Sequence, residues 1–230
     1  MGSSKDCAII PAYNEGRTIS EVVSIVKKAG ILPLVVDDNS SDDTSKLAKD
    51  AGAIVLRQFV NLGKGEAIKK GIEYAFEKLP EMENFVFIDA DMQYDPRDSS
   101  DVLKPLKDGD ADLVMGYRDW SSVPFRHMLG NMMWRLPFNI LFGTRFKDTN
   151  CGLMAMNKTA AKNLKKALHG GYIIENAILA EAVRQKMRVL QVPVKVKYNH
   201  RSEVGRGVRM VGGIFLFIVS EGLKYRLGKR

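Results

Sequence analysis

Residues 85–96 read Phe-Val-Phe-Ile-Asp-Ala-Asp-Met-Gln-Tyr-Asp-Pro, an apolar run that stops at two aspartates. Short runs of β-branched and aromatic residues are typical of buried strands. Residues i and i+2 of a strand share one face, so the carboxylates of Asp89 and Asp91 would lie side by side. Such carboxylates repel each other unless a cation lies between them, and Mg²⁺ and Mn²⁺ prefer oxygen ligands. The stretch therefore predicts a site for a divalent metal and a diphosphate, although an isolated Asp-x-Asp also fits a solvated turn.

The composition suits a globular protein: 45% of the 230 residues are hydrophobic and 27% are charged. The net charge of +8 is compatible with nucleic acid, anionic lipid or phosphorylated substrates as partners. We expect no nucleic-acid partner, because the chain has no nucleic-acid motif and no aromatic–basic platform. Cys7 and Cys151 lie far apart and in no metal-ligand spacing, and the N-terminus has no secretory pattern. A cytoplasmic location is therefore expected.

Strand and helix patterns alternate along the first half of the chain, which predicts an α/β protein with a mainly parallel sheet and helices on both faces. The carboxyl ends of parallel strands meet at one sheet edge, so we expect one shared crevice there. Strands are predicted over 7–12, 32–36, 53–56, 85–88, 111–116 and 189–196, the last at a sheet edge or with a bulge because of Pro193. Helices are predicted over 15–29, 42–51, 65–79, 99–107, 124–142, 157–168 and 178–186.

Three more polar segments lie at predicted strand ends or before a predicted helix. They are residues 11–15 (Pro-Ala-Tyr-Asn-Glu), 37–40 (Asp-Asp-Asn-Ser) and 61–65 (Asn-Leu-Gly-Lys-Gly). Each alone could be a turn, a helix cap or a glycine-rich helix start. The third is not a Walker A loop, because it lacks the first glycine and the terminal Ser or Thr. Together with Asp89 and Asp91, and in this order, the segments are hard to explain by chance.

On these four segments the chain resembles the family-two glycosyltransferases of the GT-A fold, and especially the polyprenyl-phosphate glycosyltransferases typified by dolichol-phosphate mannose synthase. The resemblance spans about residues 8 to 206. It implies a Rossmann-like central sheet and inverting transfer of a sugar from a nucleotide sugar to a polyprenyl or dolichyl phosphate, with Mg²⁺ or Mn²⁺ as cofactor. GDP-mannose is the expected donor, and UDP-linked glucose or N-acetylglucosamine is the alternative, since no residue separates guanine from uracil.

The resemblance also implies roles for individual residues. The residues that would bind the nucleotide are Pro11, Tyr13, Glu15, Asp38, Gly63, Lys64 and Asp89. The metal would be held by Asp89, Asp91 and Gln93. The catalytic residues would be Asp91, Asp148 and Arg118. The acceptor phosphate would be bound by Arg118 and Arg201 together with Arg126 or Arg135, between which the sequence does not decide.

Residues 171–177 (Gly-Tyr-Ile-Ile-Glu-Asn-Ala) depart from the family pattern, which often has Glu-x-Glu after a Gly-aromatic pair. Ala177 replaces the second acid, so Glu175 could be only a helix-start residue. The missing acid also leaves open a scaffold that binds a sugar nucleotide without turnover, which the intact aspartate pair opposes.

The role of Asp148 depends on the acceptor. A lipid phosphate is already ionised near pH 7 and needs no strong base, so Asp148 would orient the acceptor or an arginine. A soluble hydroxyl acceptor would instead need Asp148 as a general base.

Residues 210–220 carry no charge and have basic residues on both sides. This segment is shorter than the roughly 20 residues that span a bilayer. It fits an interfacial helix on an anionic leaflet, and equally a helix docked on the core or at a dimer interface. We expect a catalytic domain over residues 1–205 and a basic, apolar C-terminal helix over 206–230. We expect a peripheral location at the cytoplasmic face of a membrane, with a homo-oligomer or a membrane partner subunit as further partners.

Overall fold

The computed structural model describes residues 5–118, 125–168, 173–197 and 204–228, and for 125–130 and 204–211 the backbone alone. The strands are β1 (Asp6–Ala12), β2 (Leu32–Asp37), β3 (Ile54–Arg57), β4 (Asn84–Phe87), β5 (Leu113–Arg118), β6 (Met154–Asn157) and β7 (Val189–Val194). The helices are α1 (Ile19–Lys28), α2 (Thr44–Asp50), α3 (Lys64–Lys78), α4 (Ser99–Lys107), α5 (Phe125–Phe142), α6 (Lys158–Leu164), α7 (Ile174–Arg184) and α8 (Val204–Arg226).

All of these strands belong to one sheet, in the order β3-β2-β1-β4-β6-β5-β7. The neighbours among β1 to β4 are parallel, as are β5 and β7, whereas β6 runs antiparallel to both β4 and β5. The predicted mainly parallel sheet is therefore confirmed, and β7 lies at its edge as Pro193 indicated. Strand β6 was not predicted, because its four residues, Met-Ala-Met-Asn, are too few to show a period.

The central strands are buried on both faces, which explains why they read as continuous apolar runs. Ile9, Val35 and Val86 are fully buried. Helix α3 lies very close to this sheet, since a Cβ at Gly71 would be 2.5 Å from Cγ2 of Ile9. The close approach fixes the N-terminus of α3, where Lys64 begins the helix, beside the ends of the strands.

Several helix and strand boundaries differ from the predicted ones, and the differences matter for the site. Helix α4 is confirmed at both ends, whereas α1 begins at Ile19 instead of residue 15. The residues before it form a turn in which the backbone N–H of Glu15 donates to Oγ1 of Thr44 over 2.8 Å. Helix α7 begins at Ile174 instead of residue 178, which puts Glu175 in its first turn.

Helix α8 packs one face against the rest of the protein. Ile218 is fully buried, and the ring of Tyr225 stacks on Phe142 with centroids 5.2 Å apart. Arg184 of α7 donates from Nη2 to Oε2 of Glu221 over 2.7 Å. The docked interpretation of the C-terminal segment thus holds for this face, while the domain boundary at residues 205 and 206 stays a prediction. Within the described residues, no helix combines the length and apolar character needed to cross a bilayer.

Candidate active site

A cleft of about 510 Å³ opens where the strand ends meet. It brings together every residue that the sequence assigned to the nucleotide or the metal. These nine residues are Pro11, Tyr13, Glu15, Asp38, Gly63, Lys64, Asp89, Asp91 and Gln93. Segments remote in the chain add further lining residues, among them Tyr94, Asn150, Gly152 and Glu175.

Sharp turns after the strands direct these side chains into the cleft. Asn14, Asn39 and Met92 have φ angles of 57°, 66° and 59°, in the left-handed region that residues with a Cβ seldom adopt. The turns after β1 and β2 are tied together, because the N–H of Asn14 donates to Oγ of Ser40 over 2.9 Å. The two loops therefore form one rigid wall of the cleft.

The carboxylate of Asp38 holds the loop that precedes α3. It accepts hydrogen bonds from Nε2 of Gln58 at 2.7 Å, the N–H of Leu62 at 2.8 Å and the N–H of Gly63 at 2.6 Å. Asp38 is almost fully buried, although it reaches the cleft wall. Its clear role is to position the loop, and its contact with the base stays a prediction.

Lys64 places a positive charge at the centre of the cleft. Its Nζ lies 2.7 Å from Oδ1 of Asp89 and 2.9 Å from Oε1 of Glu175. Burial alone would lower the pKa of the Lys64 ammonium, but the two carboxylates raise it above its usual range. The ammonium is therefore a permanent charge with two anionic partners.

Two further acids of the cleft have raised pKa values. Desolvation in the cleft raises the pKa of Asp91 and the negative charge of Asp89 adds to it, whereas a hydrogen bond of 2.9 Å from the N–H of Gln93 and the positive charge of Lys64 oppose it. Desolvation also raises the pKa of Glu15, opposed by a hydrogen bond from Thr18 and reinforced by Asp91. These neighbouring acids therefore attract a cation.

The oxygen donors in the cleft fit a hard divalent ion for which the protein would supply only some of the ligands. Among the described residues, no three His, Cys, Asp or Glu side chains are placed to hold a metal by themselves. Mg²⁺ and Mn²⁺ accept one or two carboxylates and take their other ligands from phosphate oxygens and water. Asp89 and Asp91 match that pattern, and Gln93 beside them is a further oxygen donor.

The segment before β6 closes the cleft against these acids. A Cβ at Gly152 would overlap Oδ2 of Asp89 and would lie 3.1 Å from Nζ of Lys64. Asn150 is fixed by a hydrogen bond of 2.7 Å that its Oδ1 accepts from Nδ2 of Asn176. The glycine is therefore required by close packing against the acid of β4.

Arg118 and Asp148 form a two-bond pair outside the lining of the cleft. Nε and Nη2 of Arg118 donate to the two carboxylate oxygens over 2.7 and 3.0 Å, and Asp148 is fully buried. Burial would lower the pKa of Arg118, but the carboxylate raises it above its usual range. Tyr94 lines the cleft and couples electrostatically to both members of the pair. The carboxylate of Asp148 thus holds the guanidinium of Arg118, while its role in the reaction stays a prediction.

Two further basic residues, Arg135 and Lys147, are linked to the residues that directly precede this pair in the chain. Nη1 of Arg135 donates to the backbone carbonyl of Lys147 over 3.3 Å, and Lys147 Nζ lies 4.4 Å from the centre of the Tyr117 ring. We call Arg118, Arg135 and Lys147 the basic cluster. The side chain of Arg126 and the whole of Arg201, both expected at the acceptor phosphate, lie outside the described residues.

The family model described as "Glycosyl transferase family 2" matches residues 7–164, more than half of the chain. This chain belongs to glycosyl transferase family 2. It is 31% identical over 212 residues to an uncharacterized protein of Methanocaldococcus jannaschii, covering 89% of this chain and 86% of that protein. It is 28% identical over 233 residues to the UDP-N-acetylglucosamine–dolichyl-phosphate N-acetylglucosaminyltransferase of Methanococcus voltae, covering 91% and 92% of the two chains.

Solved structures establish the fold of this family 2 glycosyltransferase. It superposes with a TM-score of 0.76 and 19% identity on glucosyl-3-phosphoglycerate synthase from Mycobacterium tuberculosis, crystallised with Mn²⁺, UDP and phosphoglyceric acid. The match covers 96% of this chain and 79% of that one. The protein therefore has the GT-A fold that the sequence motifs predicted.

Sequence reasoning about this glycosyltransferase missed three residues near the site. Glu175 was left open as a residue that could be only a helix start, yet it contacts Lys64. The sequence pattern that could have indicated this role is that Glu175 is the one acid in residues 171–177, a segment in which the family often has two. Gly152 and Lys147 were not assigned a role. Gly152 matters through a steric contact and Lys147 through residues that are remote in the chain, and neither kind of contact produces a local sequence pattern.

Proposed function

We propose that this glycosyltransferase transfers a sugar from a nucleoside diphosphate to a polyprenyl phosphate of the dolichyl type, with inversion and with Mg²⁺ or Mn²⁺. The observation that carries the proposal is the two-bond pair of Arg118 and buried Asp148. A carboxylate held by a guanidinium is a poor proton acceptor, because its charge is already compensated. An acceptor that is ionised near neutral pH, such as a phosphate monoester, needs no such base.

The basic cluster supports a phosphate acceptor. Asp148 fixes the plane of the Arg118 guanidinium, and a fixed planar fork suits paired hydrogen bonds to phosphate. Nη1 of Arg135 reaches the backbone carbonyl of Lys147, so a second guanidinium belongs to the same region. Lys147, the residue before Asp148, adds a third positive charge to the cluster. A phosphate acceptor brings negative charge toward the negatively charged diphosphate, so it needs positively charged side chains to compensate that charge.

A neighbouring apolar face supports the lipid part of the acceptor. Helix α5 carries Arg135 and also the exposed side chains of Met133, Leu136 and Ile140. Helix α8 packs on α5, and further apolar side chains are exposed on α8 and directly after it, namely Phe215, Leu216, Leu223 and Leu227. Exposed apolar residues bordered by basic ones fit the interface of an anionic bilayer. We therefore propose peripheral attachment at the cytoplasmic face of a membrane, with a homo-oligomer or a membrane partner subunit still an expectation.

The donor is proposed to be a nucleotide sugar, and a UDP-sugar has more support than GDP-mannose. The Methanococcus voltae relative is named for a UDP-sugar donor and a dolichyl-phosphate acceptor, and it aligns with nearly the whole chain. GDP-mannose, the donor expected from the sequence, stays the alternative. The cleft residues themselves favour neither base, because the carboxylate of Asp38 is already occupied by three protein donors.

Each side of the cleft would have its own task in the transfer. A bound divalent ion would neutralise the charge that develops on the departing nucleoside diphosphate. Lys64 is positioned to share that task from the N-terminus of α3, where helix N–H groups also favour anions. Tyr13, half exposed at the rim, offers a ring face to the base. Arg118 would align the acceptor phosphate for attack on the face of the sugar opposite the diphosphate.

A donor and acceptor panel tests the proposal. Thermal unfolding with Mn²⁺ should show a rise in melting temperature for UDP-sugars or for GDP-mannose, because a ligand that binds only the native state stabilises it. With the stabilising donor, release of the nucleoside diphosphate should accelerate on adding dolichyl phosphate and not on adding soluble sugars. Acceleration by soluble hydroxyl acceptors alone would replace the lipid acceptor with a soluble one.

A further inference from the structure

We propose that Lys64 is an internal counter-ion: in the nucleotide-free site it neutralises Asp89, and it transfers to the diphosphate when metal and nucleotide bind, with Glu175 as its positioning residue. This inference rests on the proposed metal and diphosphate site. It assigns Lys64 a role in the empty state and gives Glu175 a role that the departure from Glu-x-Glu left open.

The contacts put Lys64 in direct competition with a metal. Its Nζ lies 2.7 Å from Oδ1 of Asp89, within charge-assisted hydrogen-bond distance. The side chains of Lys64 and Asp89 are 27% and 22% exposed, so solvent screens the pair only in part. A divalent ion that uses Asp89 must therefore bind a carboxylate that already has a cation.

Glu175 prevents the ammonium from leaving the site once Asp89 is taken by a metal. Its side chain is 9% exposed and contributes an oxygen 2.9 Å from Nζ. An ammonium has three N–H donors, so two are engaged here and the third is left for a phosphate oxygen. Gly152 limits the movement of the ammonium on one side, because its Cα lies close to both Lys64 and Asp89. A short shift about Glu175 is then sufficient to redirect the ammonium.

Metal and nucleotide binding should consequently be coupled through Lys64. Without nucleotide, the ammonium weakens metal binding by occupying Asp89. A diphosphate offers the ammonium another anion and so releases the carboxylate to the metal. Because coupling between two ligands is reciprocal, the metal should also tighten nucleotide binding by the same factor.

The test is Mn²⁺ binding to the intact protein, followed by electron paramagnetic resonance of the free ion. Lys64→Met should bind Mn²⁺ alone roughly tenfold more tightly than the wild type, because a cation beside Asp89 is gone. The same variant should bind Mn·UDP and Mn·GDP more weakly, because the diphosphate loses a partner. Lys70→Met is the matched control on the outer face of α3, where Lys70 pairs with Glu73 at 3.8 Å, and it should change neither affinity.

Glu175→Gln separates positioning from a structural role. It should weaken the binding of Mn·UDP or Mn·GDP without tightening that of Mn²⁺ alone, at an unchanged melting temperature. Lys64→Gln replaces Lys64→Met if the latter does not fold. Wild-type Mn²⁺ affinity in the Lys64 variants, with Mn·UDP or Mn·GDP still bound, would overturn the counter-ion and leave the metal site standing. Failure of the wild type to bind Mn²⁺ with or without nucleotide would instead overturn the metal site, and the counter-ion with it.

Discussion

Gly152 lies directly against the carboxylate of Asp89, so closely that a Cβ on this glycine would overlap Oδ2. The contact joins the end of β4 to the segment that leads into the antiparallel strand β6. It fixes the orientation of an acid whose other oxygen contacts Lys64 at 2.7 Å. Backbone packing thus sets the geometry of the proposed metal site as much as the acids themselves do.

Gly152→Ala should disrupt the site more than the fold. The new methyl group must displace Asp89 or Lys64, so transfer and Mn²⁺ affinity should fall by roughly 10- to 100-fold, as for other residues that orient metal ligands. Gly213→Ala is the control, because a Cβ at Gly213 on α8 meets nothing within 4 Å. Steady-state transfer rates and Mn²⁺ titrations of both variants measure the effect. Wild-type values for Gly152→Ala would show that Asp89 is not held in this way.

Asp148→Asn should destabilise the protein, because it removes the buried carboxylate charge that accepts two hydrogen bonds from the largely buried guanidinium of Arg118. Breaking such a pair costs about 2 kcal/mol of unfolding free energy after allowance for the exposed part of Arg118. Asp108→Asn, which removes the exposed partner of Lys104, should leave the stability nearly unchanged, because solvent screens this pair. Urea unfolding measures both. Unchanged stability, together with loss of the acid limb of the pH–rate profile, would identify Asp148 as a general base and favour a soluble acceptor.

As the pH falls, Mn²⁺ binding should begin to weaken at a higher pH than it would at a site with an ordinary aspartate. The pKa of Asp91 is raised, chiefly by desolvation, so Asp91 takes up its proton earlier as the pH falls. The folded state binds this proton more tightly than the unfolded state, so the stability gained from protonation is present at low pH and is lost as the pH rises through the folded pKa. Titration of Mn²⁺ affinity against pH tests the shift, and an ordinary aspartate profile would contradict it.

Asp91→Asn should therefore lower the transfer activity and slightly raise the stability. Transfer should fall at least roughly 100-fold, because the developing charge on the diphosphate is no longer compensated. The free energy of unfolding near pH 7 should rise slightly, since a desolvated carboxylate has been replaced by a neutral group. Urea unfolding beside a transfer assay measures both changes. Retained activity would remove Asp91 from the metal site.

Membrane attachment should depend on the exposed face of α8. Deleting the helix is an unsuitable test, because Ile218 is fully buried and its removal would open the core. Replacing Leu216, Leu223 and Leu227 with Ser leaves that core intact, since these side chains are 68%, 49% and 67% exposed. The triple variant should lose most sedimentation with anionic liposomes, whereas Leu190→Ser on β7, 43% exposed, should not. Equal sedimentation of the wild type and the triple variant would refute this surface.

Local patterns predicted the parts of the fold that depend on local sequence. The strand within the apolar run 85–88 and the helix Ser99–Lys107 follow from local patterns, and the nine nucleotide and metal residues meet because parallel strands end at one edge. The antiparallel strand β6 is not visible locally, since its pairing with β4 and β5 is a property of the sheet.

The parts of the site that the sequence did not predict depend on contacts between remote residues. Lys64 and Glu175 are separated by 111 positions, and nothing near either residue indicates that they touch. Asp38 matched a base-binding motif, but the structure uses both of its oxygens to hold a loop. The pairing of Asp148 with Arg118 is likewise not visible in the local sequence, and the role of Asp148 in the reaction stays a prediction.

The most direct test of the proposed function is transfer of a radiolabelled sugar into an organic phase. The protein is incubated with Mn²⁺, dolichyl phosphate and, in turn, labelled UDP-N-acetylglucosamine, UDP-glucose and GDP-mannose. One of these donors should give an organic-soluble product, and the product should disappear with EDTA and with Asp91→Asn. Label that enters only soluble acceptors, or an organic product that survives both EDTA and Asp91→Asn, would contradict metal-dependent transfer to a lipid phosphate.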